Sequence, residues 1–248
     1  MERLRLTAGV FFNDFDDYQI SGSIEPQGGT QERITDGLFD QYSASPIIRF
    51  TNNIKDTKIW GAEVDFIYYI DENWRLSGFY AYLDSEIGPH KEVVRGHPNP
   101  ETDFWEHIDF NTGETVTSEY ILPSDMTGNQ LPLQPNHKFA LTASYERPLT
   151  GTIGGHLQLL GTYSWVDERA SDLSNFDIST MPAYGRFDVR DTWTSPDETI
   201  AATLFVQNVF DEIGVIEYLH LSTHWTPRQG TLTDPRLVGL EVRWRPGL

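Results

Sequence analysis

His90, His97 and His107 share one stretch of chain with Glu101, Asp103, Glu106 and Asp109, and side chains of these types offer nitrogen and oxygen donors to transition metals. Their spacing matches no metal motif, and a solvated loop face accounts for them better. Asp109-x-Asn111-x-Gly113 echoes the opening of a calcium loop, but the acid that should close such a loop is missing from its place. His220, His224 and Trp225 form a second group, whose rings suit either a ligand at the mouth of a cavity or a polar-apolar boundary. With Trp105, these positions give His97, Trp105, His107, His220, His224 and Trp225 as candidate ligand contacts, with no metal site and no cofactor among them.

Catalytic arrangements are harder to find. No Gly-x-Ser-x-Gly elbow, phosphate loop or glycine-rich dinucleotide turn occurs, and serines, histidines and acids are scattered along the chain. Asp16 and Asp17 are adjacent at a strand end, where neighbouring side chains point to opposite faces, so they do not form an acid/base pair. Enzyme activity is not expected.

The elements that would position these residues are strands. Between His137 and Tyr145, Phe139, Leu141, Ala143 and Tyr145 fall on one face and Lys138, Ala140, Thr142 and Ser144 on the other. The same alternation marks eight segments: Leu4 to about Tyr18, Ile47 to Ile70, Trp74 to Glu86, Asn136 to Arg147, His156 onward, Tyr184 to Ser195, Thr199 to Phe210, and Arg236 to Arg245. The second is long for one strand and is expected to carry a bulge near Asn52-Asn53. Connections alternate in length. Short turns lie at Asp71-Glu72-Asn73, Pro148 to Gly151 and Pro196-Asp197-Glu198, whereas Gln19 to Pro46, Ile87 to Leu133, Glu168 to Ala183 and Asp211 to Pro235 read as long loops. One greasy and one wet face, with turns and loops at opposite ends, predicts an all-β antiparallel transmembrane barrel wall.

The dimensions agree. A strand of about eleven residues, rising roughly 3.3 Å each and tilted about 40°, spans roughly 28 Å, close to the hydrocarbon thickness of a bilayer. Tyr68, Trp74, Tyr82, Tyr145, Trp165, Trp193 and Trp244 crowd the strand ends, where amphipathic rings favour the interface. The chain is polar on average, with 22% charged residues, yet only alternate strand residues need meet lipid. The net charge of −19 would repel nucleic acid, which is excluded as a partner, and acidic outer loops would account for it. The absence of cysteine fits an oxidising compartment without disulfides but fits many soluble proteins as well. Met1-Glu2-Arg3-Leu4-Arg5 enters the first strand pattern directly, so no export leader is expected in the sequence as it stands.

Several strings, taken in order, resemble the carboxyl-terminal barrel of TonB-dependent outer-membrane receptors. These are GVFFNDFDDYQI (Gly9 to Ile20), DTKIWGAEVDF (Asp56 to Phe66), LPLQPNHKFALTASY (Leu131 to Tyr145), MPAYGRFDVRDTW (Met181 to Trp193), LFVQNVFDE (Leu204 to Glu212) and DPRLVGLEVRW (Asp234 to Trp244). The resemblance covers almost the whole chain. It implies a barrel of about twenty-two strands, of which residues 1–248 would be a partial domain without plug or signal peptide. It further implies a place in the bacterial outer membrane, contact with its lipid, a small-molecule or metal-chelate substrate such as a ferric siderophore, cobalamin or oligosaccharide, and energy delivered by the TonB complex through the amino-terminal region. Such receptors close on an aromatic residue, whereas Trp244 is followed here by Arg245-Pro246-Gly247-Leu248, which is expected to weaken recognition by the insertion machinery. Two other readings remain: a self-contained eight-stranded small porin or adhesin, and a soluble β-sandwich that binds carbohydrate.

Three residues carry local expectations of their own. Gly61 leaves room for a neighbouring strand or an inserted domain to approach the wall, and Glu63 faces the lumen. Asn208, at the end of the seventh segment, is suited to cap backbone groups where the strand enters its loop, and is not expected to be a ligand residue.

Overall fold

The computed structural model describes residues 3–24, 48–92, 101–108, 112–219 and 229–246. Eight strands form a single antiparallel sheet: β1 (Leu4–Phe15), β2 (Thr57–Tyr69), β3 (Trp74–Glu86), β4 (His137–Pro148), β5 (His156–Val166), β6 (Tyr184–Thr194), β7 (Ile200–Gln207) and β8 (Leu237–Trp244). Their spatial order is their chain order, so among the described residues each strand of the wall pairs with the wall strands before and after it in the chain. A meander of this kind needs no crossover, and its turns fall alternately at the two ends of the sheet.

At one end the turns are tight, and each has a local cause. Asp71 Oδ1 accepts the amides of Asn73 and Trp74, each at 2.8 Å, and closes β2 onto β3. Between β4 and β5, Gly151 and Gly155 take positive φ and Leu149 donates to the Gly155 carbonyl at 2.8 Å. Between β6 and β7, Ser195 donates to Ile200 at 2.8 Å while Glu198 sits at φ 58°. These turns tie adjacent strands in register.

That register sets the two faces. Leu6, Phe66, Gly78, Leu141 and Tyr163 follow one another from strand to strand along one row, and Leu159, Asp191, Leu204 and Leu240 along another. The apolar row is bare: Val10 is 85% exposed, Leu240 69% and Trp244 70%. Among the described residues no second sheet or helix covers it, unlike the inner faces of a sandwich, where two sheets bury such rows against each other. Asp191 interrupts the row one outward position from Trp193, near the short-turn end, where a carboxylate costs less than at the centre of the bilayer. At that end Trp74 packs on Tyr145 with ring centroids 4.8 Å apart, and Trp193 Nε1 donates to the Gly154 carbonyl at 3.1 Å. At the other end the Tyr80 hydroxyl lies 2.8 Å from His137 Nδ1, and Phe139 stacks on Trp165 at 5.7 Å. The outward face therefore carries an aromatic belt at each margin.

The opposite face is mostly polar, with rings such as Phe11 and Phe205 set among its hydroxyls and charges. Thr142 and Thr162 join hydroxyls at 2.9 Å, Gln158 donates to Glu146 at 2.5 Å, and Arg186 Nε donates to Asp188 at 2.8 Å. Glu63 shares this face with Thr7, Asp65 and Ser77 by register. At Gly61 the backbone of the neighbouring strand β3 and the ring of Phe11 both come close: a Cβ there would lie 2.4 Å from the Tyr82 carbonyl oxygen and 2.7 Å from the Phe11 ring.

Three readings of the long connections change. The second segment does not bulge at Asn52-Asn53 but divides at Lys55-Asp56, where Asp56 turns to φ 56°; Ile48–Ile54 leaves the wall and pairs with Tyr18–Ile24. Asp16 and Asp17 form the turn between Phe15 and Tyr18. The stretch from Ile87 to Leu133 is no structureless loop: Thr102–Ile108 pairs with Thr115–Ile121, and Lys91–Glu92 with Ser124–Asp125. The later loops also hold short ladders, Arg169–Ala170 with Thr180–Met181 and Val215–Leu219 with Gln229–Leu232. Ladders of two residues are too short to show a period, and the longer ribbons lie outside the two-faced wall whose alternation marks a strand, which is why periodicity missed these.

Candidate functional site

The loops converge on a collar above the wall. Ile54, Ile87 and Leu131, all nearly fully buried, are its apolar centre, and Tyr18, Ile20, Ile59 and Leu173 pack around them. Three connections thus share one small core. Amide side chains fasten it: Asn129 Nδ2 donates to the carbonyls of Leu173 and Ser174 at 2.8 and 3.1 Å, Asn175 Oδ1 accepts the Gln130 amide at 2.8 Å, and Asn175 Nδ2 returns a bond to the Gln130 carbonyl at 3.0 Å. Gln130 Nε2 reaches Asp84 and Asn136 at 3.2 and 2.8 Å, and the Leu131 amide donates to Ser85 Oγ at 2.9 Å. Asn175 adopts φ 53°, a conformation that asparagine tolerates better than most residues.

The last loop is held separately. Asn208 is buried, sits at φ 51°, donates Nδ2 to the carbonyls of Glu212 and Asp234 at 2.8 and 3.1 Å, and accepts the Glu212 amide at 2.9 Å. Its own amide donates to Asp188 at 2.7 Å, so the cap expected from sequence is tied to the wall. Arg169, also buried, donates Nη2 to the Val215 carbonyl at 2.9 Å and lies 5.8 Å from the Tyr184 ring centroid, bridging the third long connection to the last.

Between the second and third long connections lies a cleft of about 350 Å³ lined by Lys91, Glu101, Asp125, Met126, Ser174 and Phe176. The Thr127 hydroxyl, then its amide, hold the Asp125 carboxyl below the usual range, with Lys91 4.0 Å away as a weaker cause. Charged, hydroxyl and apolar groups thus meet in one concave surface, which suits binding.

The sequence candidates fall unevenly on this framework. Trp105 and His107 lie on the strand Thr102–Ile108, opposite Ser118 and Val116. His97, His220, His224 and Trp225 lie outside the described residues, as do Asp109 and Asn111 of the calcium-like string. His90 departs from the solvated loop face: it is buried, its amide donates to Thr127 Oγ1 at 3.3 Å, and Nε2 stands 3.4 Å from Glu92. The cleft residues Asp125, Met126, Ser174 and Phe176 were not foreseen, because nothing in their local pattern separates them from other loop residues.

The sequence matches the profile described as TonB dependent receptor-like, beta-barrel, over residues 2–209. Among solved structures, the fold is similar to the siderophore receptor PiuA from Acinetobacter baumannii, with a TM-score of 0.60, 18% identity, and coverage of 97% of this chain and 26% of that one. BauA, the ferric preacinetobactin receptor from the same organism, gives a TM-score of 0.54 at 16% identity, covering 97% and 27%. The ferripyoverdine receptor of the Pseudomonas aeruginosa outer membrane gives 0.50 at 17% identity, covering 98% and 25%. The chain thus spans about a quarter of the length of these receptors. With the profile matched over most of its length, the chain belongs to the TonB-dependent receptor family, and its eight strands are barrel wall of a bacterial outer-membrane receptor.

Proposed function

We propose that this chain supplies a section of wall and the outer loops of an active-uptake receptor that captures a ferric siderophore or similar metal chelate and passes it inward when the TonB complex delivers force. Members of the family are transporters and not enzymes. The observation that carries the reading is the pairing of a bare single-layer wall with loops drawn into a braced collar around a cleft of about 350 Å³. A braced collar gives loops a fixed base from which to close over a substrate too large or too scarce for passive diffusion. Similarity to three siderophore receptors supports the substrate class. In this reading residues 1–248 are part of a barrel of about twenty-two strands, with a plug and TonB-engaging segment outside them. His97, Trp105, His107, His220, His224 and Trp225 remain the proposed loop contacts to substrate.

The test is energised uptake in cells lacking the gene, compared with complemented cells, over a panel of ferric chelates, haem, cobalamin and oligosaccharides. We expect uptake of a ferric chelate to disappear with the gene and, in complemented cells, with a protonophore. Loss of cobalamin or oligosaccharide uptake instead would overturn the substrate class, and unchanged uptake across the panel would overturn the transport reading.

A further inference from the structure

On the inward face near the short-turn end, β5 to β8 enclose a second cleft, of about 200 Å³, lined by Gln158, Arg190, Thr192, Thr203, Glu241 and Arg243. Its charges are unevenly settled. Glu241 Oε1 accepts from Arg243 Nη2 at 3.3 Å, and Gln158 is committed to Glu146. Arg190 has neither an acid nor a hydrogen-bond acceptor among the described residues; its guanidinium lies over the Phe205 ring, 5.7 Å from the centroid. A cation left over is notable in a chain with a net charge of −19.

The shelf beneath Arg190 is built from the sequence. Phe205 pairs with Gly239 across β7 and β8, and its ring lies where a Cβ at Gly239 would have to be. Gly239 therefore lets the ring lie flat against the wall, and the ring in turn carries the guanidinium. Stacking fixes the plane of an arginine but uses none of its N–H donors, which stay in the fork that matches a carboxylate. Beside it, the Thr192 and Thr203 hydroxyls bond each other at 3.0 Å; one donates, which leaves the other's hydrogen free for a further acceptor.

We propose that this cleft is a carboxylate-binding site on the lumen wall, with Arg190 as the bidentate donor and the Thr192–Thr203 pair as an additional hydroxyl donor. The inference rests on the barrel reading, in which this face bounds the lumen. The carboxylate has two possible sources, an acidic side chain of a polypeptide segment filling the lumen or an acid group on a small molecule in passage.

Zero-length carbodiimide coupling distinguishes these sources. The Arg190→Lys receptor, expressed whole in native outer membranes, keeps the cation and gains an amine that forms an amide only with a carboxylate in contact. Mass spectrometry then reads the adduct at position 190, with the lumen-facing Lys138 as reference and citrate as the small-acid probe. We expect coupling about tenfold above that at Lys138, as a charge-assisted contact demands. Coupling to an acidic residue outside the cleft assigns the site to a polypeptide, and coupling to citrate assigns it to small acids. Coupling only to Glu146 or Glu241, or coupling at the Lys138 level, overturns the proposal. Heat-modifiable migration of the same variant, scored alongside, reports the barrel itself, so failure of the site and failure of the wall give different results.

Discussion

At the scale of single residues, the turn between β6 and β7 shows how one carboxylate organises a chain reversal. Ser195 Oγ donates to Asp197 Oδ1 at 2.6 Å, Thr199 Oγ1 donates to Oδ2 at 2.9 Å, and Ser195 Oγ in turn accepts the Ile200 amide at 2.9 Å, the first residue of β7. The Ser195 hydroxyl, followed by the Thr199 hydroxyl and amide, holds the Asp197 carboxyl below the usual range. A carboxyl depressed in the folded state stabilises the turn fully above its unfolded value, and that contribution fades as pH falls through the folded value. Amide exchange at Ile200 should accordingly be faster in Asp197→Asn than in the parent at neutral pH, and the two should converge as the solution becomes more acid than the ordinary carboxylate range. A gap of constant size at every pH would mean that the charge is irrelevant and only the shape of the side chain matters. Pro196-Asp197-Glu198 made this turn readable in the sequence, as Asn208 did its cap, because both act on their own neighbourhood, whereas the bonds from Ser195 and Thr199 come from the strand ends beside the turn. Arg190 on its Phe205 shelf was not readable, since the three residues involved lie on three strands and meet only through register.

At the scale of elements, the wall and the collar differ in how they are specified. Strands β3, β5 and β8 fall within a residue or so of where alternation put them, because one face of each must be apolar and the other polar along its whole length. Collar ribbons such as Thr102–Ile108, which pairs with Thr115–Ile121, lie outside that two-faced wall and have no such constraint, and the collar is fastened by long-range bonds that no local window contains. Asn129, Gln130 and Asn175 are the clearest instance: the bonds of Asn129 to Leu173 and Ser174, and of Gln130 to Asn175, span forty-four or forty-five residues. Those bonds predict that the second and third long connections move as one body. Asn175→Ala removes the reciprocal pair with Gln130 and also strains a backbone held at φ 53°, at a local cost of roughly 1–3 kcal/mol. Asn175→Gly removes the pair but not the conformation, so comparing the two variants separates bonding from strain. Hydrogen exchange should quicken at Gln130 and Leu133 in both variants while the β2–β3 ladder is unchanged; protection that survives in both would show that the apolar core of Ile54, Ile87 and Leu131 holds the collar without the amides.

At the scale of the whole molecule, the sheet is defined by what does not cover it. β1 pairs with β2 and β8 with β7, and among the described residues the two end strands do not pair with each other, so each presents an open edge. A wall with open edges and one apolar face is stable only if further strands complete it and acyl chains solvate that face. Neighbouring residues on β4 test the second condition. Leu141 points to the bare row, in line with Gly78 and Tyr163, while Thr142 bonds Thr162 on the polar face. An arginine on the lipid side near the middle of the bilayer costs about 2–4 kcal/mol, whereas one facing an aqueous or polar lumen keeps its hydration. Leu141→Arg should therefore lower the unfolding free energy, measured by denaturant titration in lipid vesicles, by that amount, and Thr142→Arg, one residue away and equal in charge, should lower it far less. Equal penalties would mean that both faces of the strand are enclosed by protein, and a larger penalty at Thr142 would mean that the two faces have been assigned the wrong way round.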